Sequence, residues 1–358
     1  MTSWMKTPEQ EAARRARHGQ RPVVVVIPYY NGSDFIERSA RSVLEQTVAP
    51  AEFLVVDDGS NPKEAAKLEE ISRRMGFQIL RKENGGQGSA RNFGVQHSSA
   101  PFICFLDQDD FYLKNHIELL IDALPDDDPH FGWVYGELFE ADRDGNIVQT
   151  NIVSRHSMHP KTSIVHLIGH DMHVLPSASL ISREAFEDVG GFDEQFMGYE
   201  DDDLFMRIFR RGYTNHFIEK PVTIWCIHTE STSHGIRMAR SRMRYLKKLM
   251  AAFPEGSEDG RFSARDLLIN RFNTLILGEG LKAAQGAPGK YSSHREEYIE
   301  IAQDYLSILN ASPSLSKSHK RRIAFHSFIL SHPKFSFLYE ISNFSRQTRR
   351  QIRRILRY

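Results

Sequence analysis

Cysteine is nearly absent. The 358 residues contain two, Cys104 and Cys226, each inside an apolar run. Two such residues build neither a disulfide framework nor a cysteine zinc site. They read as small buried packing residues in a protein of a reducing compartment. Long apolar runs are missing too. No window approaches the roughly 18 uninterrupted apolar residues of a spanning helix. The opening MTSWMKTPEQEAARRARHGQ lacks the apolar stretch of a secretory signal. Net charge is missing as well, since 46 basic and 46 acidic residues cancel. No overall field therefore selects nucleic acid or another polyanion. There is no fixed-period repeat and no low-complexity tract.

The charges that are there lie unevenly. Acids cluster at 107–110, 126–128 and 200–203, and residues 341–358 hold six arginines and no acid. Hydrophobic residues make up 40% and charged residues 26%, the profile of a soluble globular protein. The length suggests two domains, or one with an extension.

Periodicity gives the order of elements. PVVVVIP (22–28) is a continuous β-branched run, the mark of a parallel strand covered on both faces. SDFIERSARSVLEQT follows at helical spacing, with Ser33 or Asp34 as its expected N-cap. The unit repeats as strands at 52–58, 77–82 and 102–106 and helices at 62–75, 89–98 and 114–124. That alternation predicts an α/β domain with a mainly parallel sheet. Beyond 130 come a hairpin around Asp144-Gly145, a short strand at 178–182, a helix at 201–212 and one or two strands up to His228. From about 235 helical periodicity dominates. The expected divisions are an extension at 1–20, an α/β domain at 21–232 and a helical region at 233–358.

In an open α/β sheet, ligands sit outside the carboxyl ends of the strands. Three strands end in polar residues there: PYYNGS, DDGS and DQDD. A single acidic strand end is usually a turn or a cap, and Asp58 with Gly59-Ser60 suits an Asx turn. Several in consecutive units point to a shared site. Gathered carboxylates repel, about 4 kcal/mol at about 4 Å for an effective dielectric near 20. A hard divalent cation reverses that, and Mg²⁺ commonly binds one or two carboxylates plus substrate phosphates. YEDDDLFMR supplies the second cluster. The helix dipole accounts for one or two of its acids, not all four.

Five blocks in order, VVIPYYNGSDFIERSARSVLEQT, EFLVVDDGS, ENGGQGSARNFGV, FICFLDQDD and VGGFDEQFMGYEDDDLFMRIFRRGY, make residues 22–232 resemble glycosyltransferase family 2. The resemblance implies a GT-A fold, a nucleotide-sugar donor and inversion at the anomeric carbon. It implies that Pro28 and Tyr30 wall the base pocket and that Asp58 accepts a hydrogen bond from the base, which favours UDP. Asp109 would bind Mn²⁺ or Mg²⁺, with Asp107 beside it near ribose and sugar, and Asp110 in a supporting or capping place. Asp201 would be the general base and Glu200 its neighbour. His228 would be a further ligand for metal or diphosphate, ranked above His234. PSAS, with Ser177, would lie beneath the donor sugar, while His170 and His173 flank the acceptor side. Gly86 would let its loop approach the donor, and Arg91 would meet phosphate or a site carboxylate.

By the same resemblance the acceptor is a saccharide or lipid-linked saccharide in bacterial cell-surface polysaccharide synthesis. The enzyme would be cytoplasmic, or peripheral on the inner face of the plasma membrane. Two basic segments fit that setting, 236–253 against an acceptor pyrophosphate and 341–358 against anionic lipid. Nucleic acid is not an expected partner, because aromatics are scarce in the basic tail. Rival readings are a nucleotidyltransferase, which wants a basic glycine-rich loop where PYYNGSDF stands, and a silent GT-A-like binding module. A dinucleotide site fails because GGQGSARNFG follows the third strand and has Arg91 in place of the third glycine.

Overall fold

The computed structural model describes residues 8–227, 235–253 and 267–336. The chain divides into two compact units, Met1–Leu167 with Asp171–Ser231, and Ile168–His170 with Thr232–Tyr358.

In the first unit the elements run α1 (Pro8–Gly19), β1 (Val23–Tyr29), α2 (Ile36–Leu44), β2 (Glu52–Asp58), α3 (Pro62–Met75), β3 (Gln78–Lys82), α4 (Gln87–Gln96), β4 (Phe102–Phe105), β5 (Phe111–Tyr112) and α5 (His116–Asp122). They continue with β6 (Phe131–Ala141), β7 (Ile147–Gln149), α6 (Ile152–His156), α7 (Ile164–Gly169), β8 (Ser179–Ser182), α8 (Arg183–Asp188), α9 (Glu200–Arg210) and β9 (Thr214–Cys226). One sheet has the order β3-β2-β1-β4-β8-β6-β9-β5, with β7 on β6. β3, β2, β1 and β4 are parallel, as are β6 and β9. β8, β5 and β7 pair antiparallel.

The valine run explains β1: all seven residues are buried, as a strand covered on both faces requires. α3 starts where Asn61 Oδ1 accepts from the amides of Lys63 and Glu64, with Pro62 in the first turn. It stops at Gly76, whose φ of 85° suits glycine. α4 lies tight on the sheet at Gly94, where a Cβ would stand 2.4 Å from Val26 Cγ1. A glycine is needed there for the helix to come this close.

Two local expectations are corrected. The N-cap position of α2 is Phe35, which makes no side-chain cap hydrogen bond, and not Ser33 or Asp34. Glu64 Oε2 accepts from the Ser33 amide and Lys67 donates to its hydroxyl, so Ser33 belongs to the contact with α3. The Asx turn belongs to Asp57, whose Oδ1 accepts from Ser60 N, and not to Asp58.

The second unit contains α10 (Ile236–Ala252), α11 (Ile269–Phe272), a π-helical turn (Asn273–Leu277), α12 (Gly278–Ala284), α13 (Arg295–Ala311) and α14 (Lys317–Ser331). At least half of the six cations of 236–253 are paired within their own unit. Arg240 pairs with Glu297, Arg242 with Glu279 and Lys247 with Asp304. No helix among the described residues is long and apolar enough to cross a membrane. The tail 341–358 lies outside the described residues.

Candidate active site

Strand order places the site. β1 lies between β2 and β4, so the chain leaves β1 toward one side and returns on the other. That reversal opens a crevice at the carboxyl ends of the strands. Side chains and backbone tie the three ends together. Gln108 Oε1 accepts from Tyr30 N at 2.9 Å, and its Nε2 donates to Tyr30 O at 3.3 Å. Asn31 N donates to Ser60 Oγ, and Asn61 N donates to Asn31 Oδ1. Tyr30 is exposed at the rim, whereas Pro28 is buried within β1 beside Val56.

Asp58 ends β2 and is 3% exposed. Its Oδ1 accepts from Lys82 Nζ at 2.8 Å and Gly85 N at 3.0 Å, and its Oδ2 accepts from Gly86 N at 2.7 Å. A carboxylate offers about four acceptor positions, so one remains beyond these three donors. Gly86, at φ 90°, takes the turn that starts α4.

The DQDD turn separates its acids. Asp107 and Asp109 stay partly exposed, while Asp110 is 1% exposed and directed inward. Asp110 Oδ1 accepts from Cys226 N, and its Oδ2 is buried without a partner. Burial, together with the charges of Asp109 and Asp107, raises its pKa well above the usual carboxylate value. Ser177 stands next to it, because β8 runs antiparallel to β4 and the residues before β8 meet the end of β4. Asp107 Oδ1 accepts from Gln87 Nε2 at 2.7 Å and from Arg91 Nη2 at 2.6 Å. Oδ2 of Asp107 has no partner among the described residues.

Arg91 joins the two acidic clusters. Its guanidinium is buried, and Nη1 reaches Glu200 Oε1 at 3.0 Å while Nη2 holds Asp107. Burial alone would lower its pKa, but the charges of Asp107 and Glu200 outweigh that and raise it. Phe105 and Phe192 pack on the guanidinium. The next residue, Asn92, holds the loop that leads to the second cluster. Asn92 Oδ1 accepts from Phe192 N, and its Nδ2 donates to Phe192 O. Arg207, paired with Asp203, donates to Val189 O and Gly191 O from the other side. The loop turns through Gly198 and Tyr199, with Tyr199 at φ 64°, a strained conformation for a tyrosine. α9 then begins with its four acids.

Asp201 is the acid of that cluster with an unengaged oxygen. Its Oδ1 accepts from Asp202 N, and Oδ2 has no partner among the described residues. Burial, with the charges of Glu200 and Asp202, raises its pKa well above the usual range. Its neighbours have partners: Glu200 holds Arg91 and Gly198 N, and Asp202 accepts from Met172 N.

His228 and His234 lie outside the described residues. His173 stacks on His156 at 4.7 Å, while His170 belongs to the second unit. Sequence reasoning missed Gln87, Asn92, Gln108 and Lys82. Lys82 was within reach, because parallel pairing sets it level with Asp58. Gln87 and Gln108 carried no signal, since a glutamine gains its meaning only from what faces it.

A Rossmann-like half-sheet continued by antiparallel strands, with acids at the end of β4 and at the head of α9, defines a GT-A fold. The chain belongs to glycosyltransferase family 2. The family model described as Glycosyl transferase family 2 matches residues 24–190, and Glycosyltransferase like family 2 matches 140–256. An uncharacterized glycosyltransferase of Rickettsia conorii is 31% identical over 220 residues, 60% of this chain and 35% of that protein. Chondroitin synthase of Escherichia coli is 29% identical over 216 residues, 59% of this chain and 30% of that protein. The chain thus spans about a third of these relatives' length. Among solved structures, S. aureus TarS 1-349 in complex with UDP-GlcNAc matches at a TM-score of 0.62 and 16% identity, covering 90% of this chain and 92% of that one. The mannosyltransferase PcManGT from Pyrobaculum calidifontis, in complex with GDP-Man and Mn2+, matches at 0.51 and 16%, covering 92% and 96%. At such identities the likeness is one of fold.

Proposed function

We propose that residues 21–232 form the catalytic domain of an inverting, metal-dependent glycosyltransferase. It would move a sugar from a nucleotide-sugar, with UDP favoured, to a hydroxyl of a saccharide or lipid-linked saccharide. The observation that carries the reading is the Arg91 bridge. It fixes a carboxylate at the donor crevice and a carboxylate beside a candidate base on one rigid cation.

The donor's base would rest on Tyr30, with Pro28 beneath, and use the remaining acceptor position of Asp58. Ser177 and Asp107 would flank ribose and sugar, and Gly86 would let the backbone come near. The donor set fits a hard cation. Asp107 and Asp109 are partly exposed oxygen ligands, and Mg²⁺ needs only one or two carboxylates when phosphates supply the rest. Among the described residues no group of three metal-binding side chains is found, so substrate phosphates would have to complete the coordination. His228, which follows β9 closely, would be a further ligand. When bound, Mn²⁺ or Mg²⁺ would neutralise charge on the departing diphosphate.

Asp201 would take the proton of the acceptor hydroxyl as that oxygen attacks the anomeric carbon. The carbon–oxygen bond to the diphosphate breaks on the opposite face, and the electron pair leaves with the diphosphate. Glu200 and Arg91 would hold Asp201 in place. The relatives' names support a saccharide product. The setting would be the cytoplasm, or the inner membrane face through 341–358, in cell-surface polysaccharide synthesis.

A thermal-shift panel of nucleoside diphosphates and nucleotide-sugars, with and without Mn²⁺, tests this. UDP compounds should raise the melting temperature, and more so with metal. If no nucleotide does so under either condition, the reading fails.

A further inference from the structure

The second unit holds a cavity of about 320 Å³ that sugar transfer does not use. That is the lower end of the roughly 300–1,000 Å³ typical of small-molecule sites. Its aliphatic lining is Leu277, Leu306, Leu309 and Leu315, all buried, beside the polar Asn273, Thr274 and His326. One wall is the π-helical turn Asn273–Leu277, an irregularity that recurs at functional sites. Its rim carries His319 and Arg322, both exposed on α14. Among the described residues that line it, none is acidic.

The charge around the rim is unbalanced. α14 opens with Lys317, Lys320, Arg321 and Arg322 and has no acid in its first turn. Cations at a helix N-terminus oppose the macrodipole. None of these four has an ion-pair partner among the described residues, whereas Arg240, Arg242 and Lys247 on α10 all do. A leucine-lined floor under an acid-free, cationic rim is complementary to one ligand class.

We propose that this cavity binds an anionic amphiphile, a single aliphatic chain lying on the leucine floor with its anionic head at His319 and Arg322. The site goes beyond the transferase reading, since it involves no residue of the crevice.

Titration calorimetry of the full chain with decyl phosphate, below its micelle concentration, tests it. Saturable one-to-one binding is expected. Arg322→Glu should weaken it at least about tenfold, as should Leu309→Trp, which fills the floor. Leu309→Trp can disturb folding, so the exposed Arg322→Glu is the deciding variant, with its melting curve as the control. Inorganic phosphate and decanol should each bind at least about tenfold more weakly than decyl phosphate. The proposal is overturned if decyl phosphate does not bind, if Arg322→Glu binds as tightly as wild type, or if either half-ligand matches the whole one. Nucleotide-sugar turnover does not enter the readout, so failure here and failure of the transferase reading are separable.

Discussion

Arg91 shows how a single buried residue can set a site. Its partners are 16 and 109 positions away in sequence, Asp107 and Glu200. Removing one member of a buried ion pair costs about 3–5 kcal/mol, because the other charges are left uncompensated. Arg91→Ala should therefore lower stability by about that amount in denaturant titrations. Arg91→Lys keeps the charge but has no planar fork to hold two carboxylates apart. It should lose donor turnover by about 10²-fold, the scale of a small misplacement, with a smaller stability loss. Asp110 and Asp201 carry the opposite sign. A carboxyl whose folded pKa lies above its ordinary 3.8 keeps a proton that the unfolded chain releases. Its stability contribution is full below that ordinary value and is lost as pH rises through the folded pKa. Asp110→Asn should therefore raise the melting temperature at neutral pH and change it little near pH 3. The same logic sets catalysis. As the proposed base, Asp201 would have to be deprotonated to act, so the acid limb of the rate profile should lie above the usual carboxylate range.

Elements explain why these residues meet. α4 brings Gln87, Arg91 and Asn92 to the site, and Gly94 sets how close that helix lies to β1 and β2. Gly94→Ala gains about 1 kcal/mol in helix propensity. It also drives a Cβ against Val26, an overpacking cost of about 1–3 kcal/mol. A net loss of stability is expected, with turnover falling more than the melting temperature alone accounts for. The succession of strands and helices from β1 to α4 was legible in sequence because burial on both faces and helical spacing leave strong periodic marks. The exact helix start at Phe35 was not, because Ser33 is drawn into the contact with α3. Docking of α1 was equally invisible. Arg14 and His18 reach Asp122 of α5, more than a hundred residues on, and no local pattern encodes that contact.

At the scale of the whole molecule, the acidic clusters were legible as clusters but not in their division of labour. Three acids of DQDD look alike in sequence. In the fold, Asp107 meets Arg91, Asp109 stays partly exposed and Asp110 turns inward beside Ser177 and Cys226. The basic helix 236–253 read as a ligand surface, yet three of its cations meet acids of its own unit. Charge in a sequence is visible, whereas its partner is visible only after folding. Binding and chemistry should separate cleanly in this arrangement. Asp109→Asn should abolish the part of the nucleotide-dependent melting shift that requires Mn²⁺ and leave the metal-free shift near wild type.

In the proposed reaction Asp201 is a base working on a donor that the other cluster holds. The direct measurement is Asp201→Asn, assayed for UDP-sugar binding by calorimetry and for UDP release with Mn²⁺, beside wild type. Binding within about threefold of wild type and turnover lower by about 10²-fold or more are expected. Unchanged turnover in the variant, or a wild-type protein that binds and cleaves no nucleotide-sugar, would contradict that reaction.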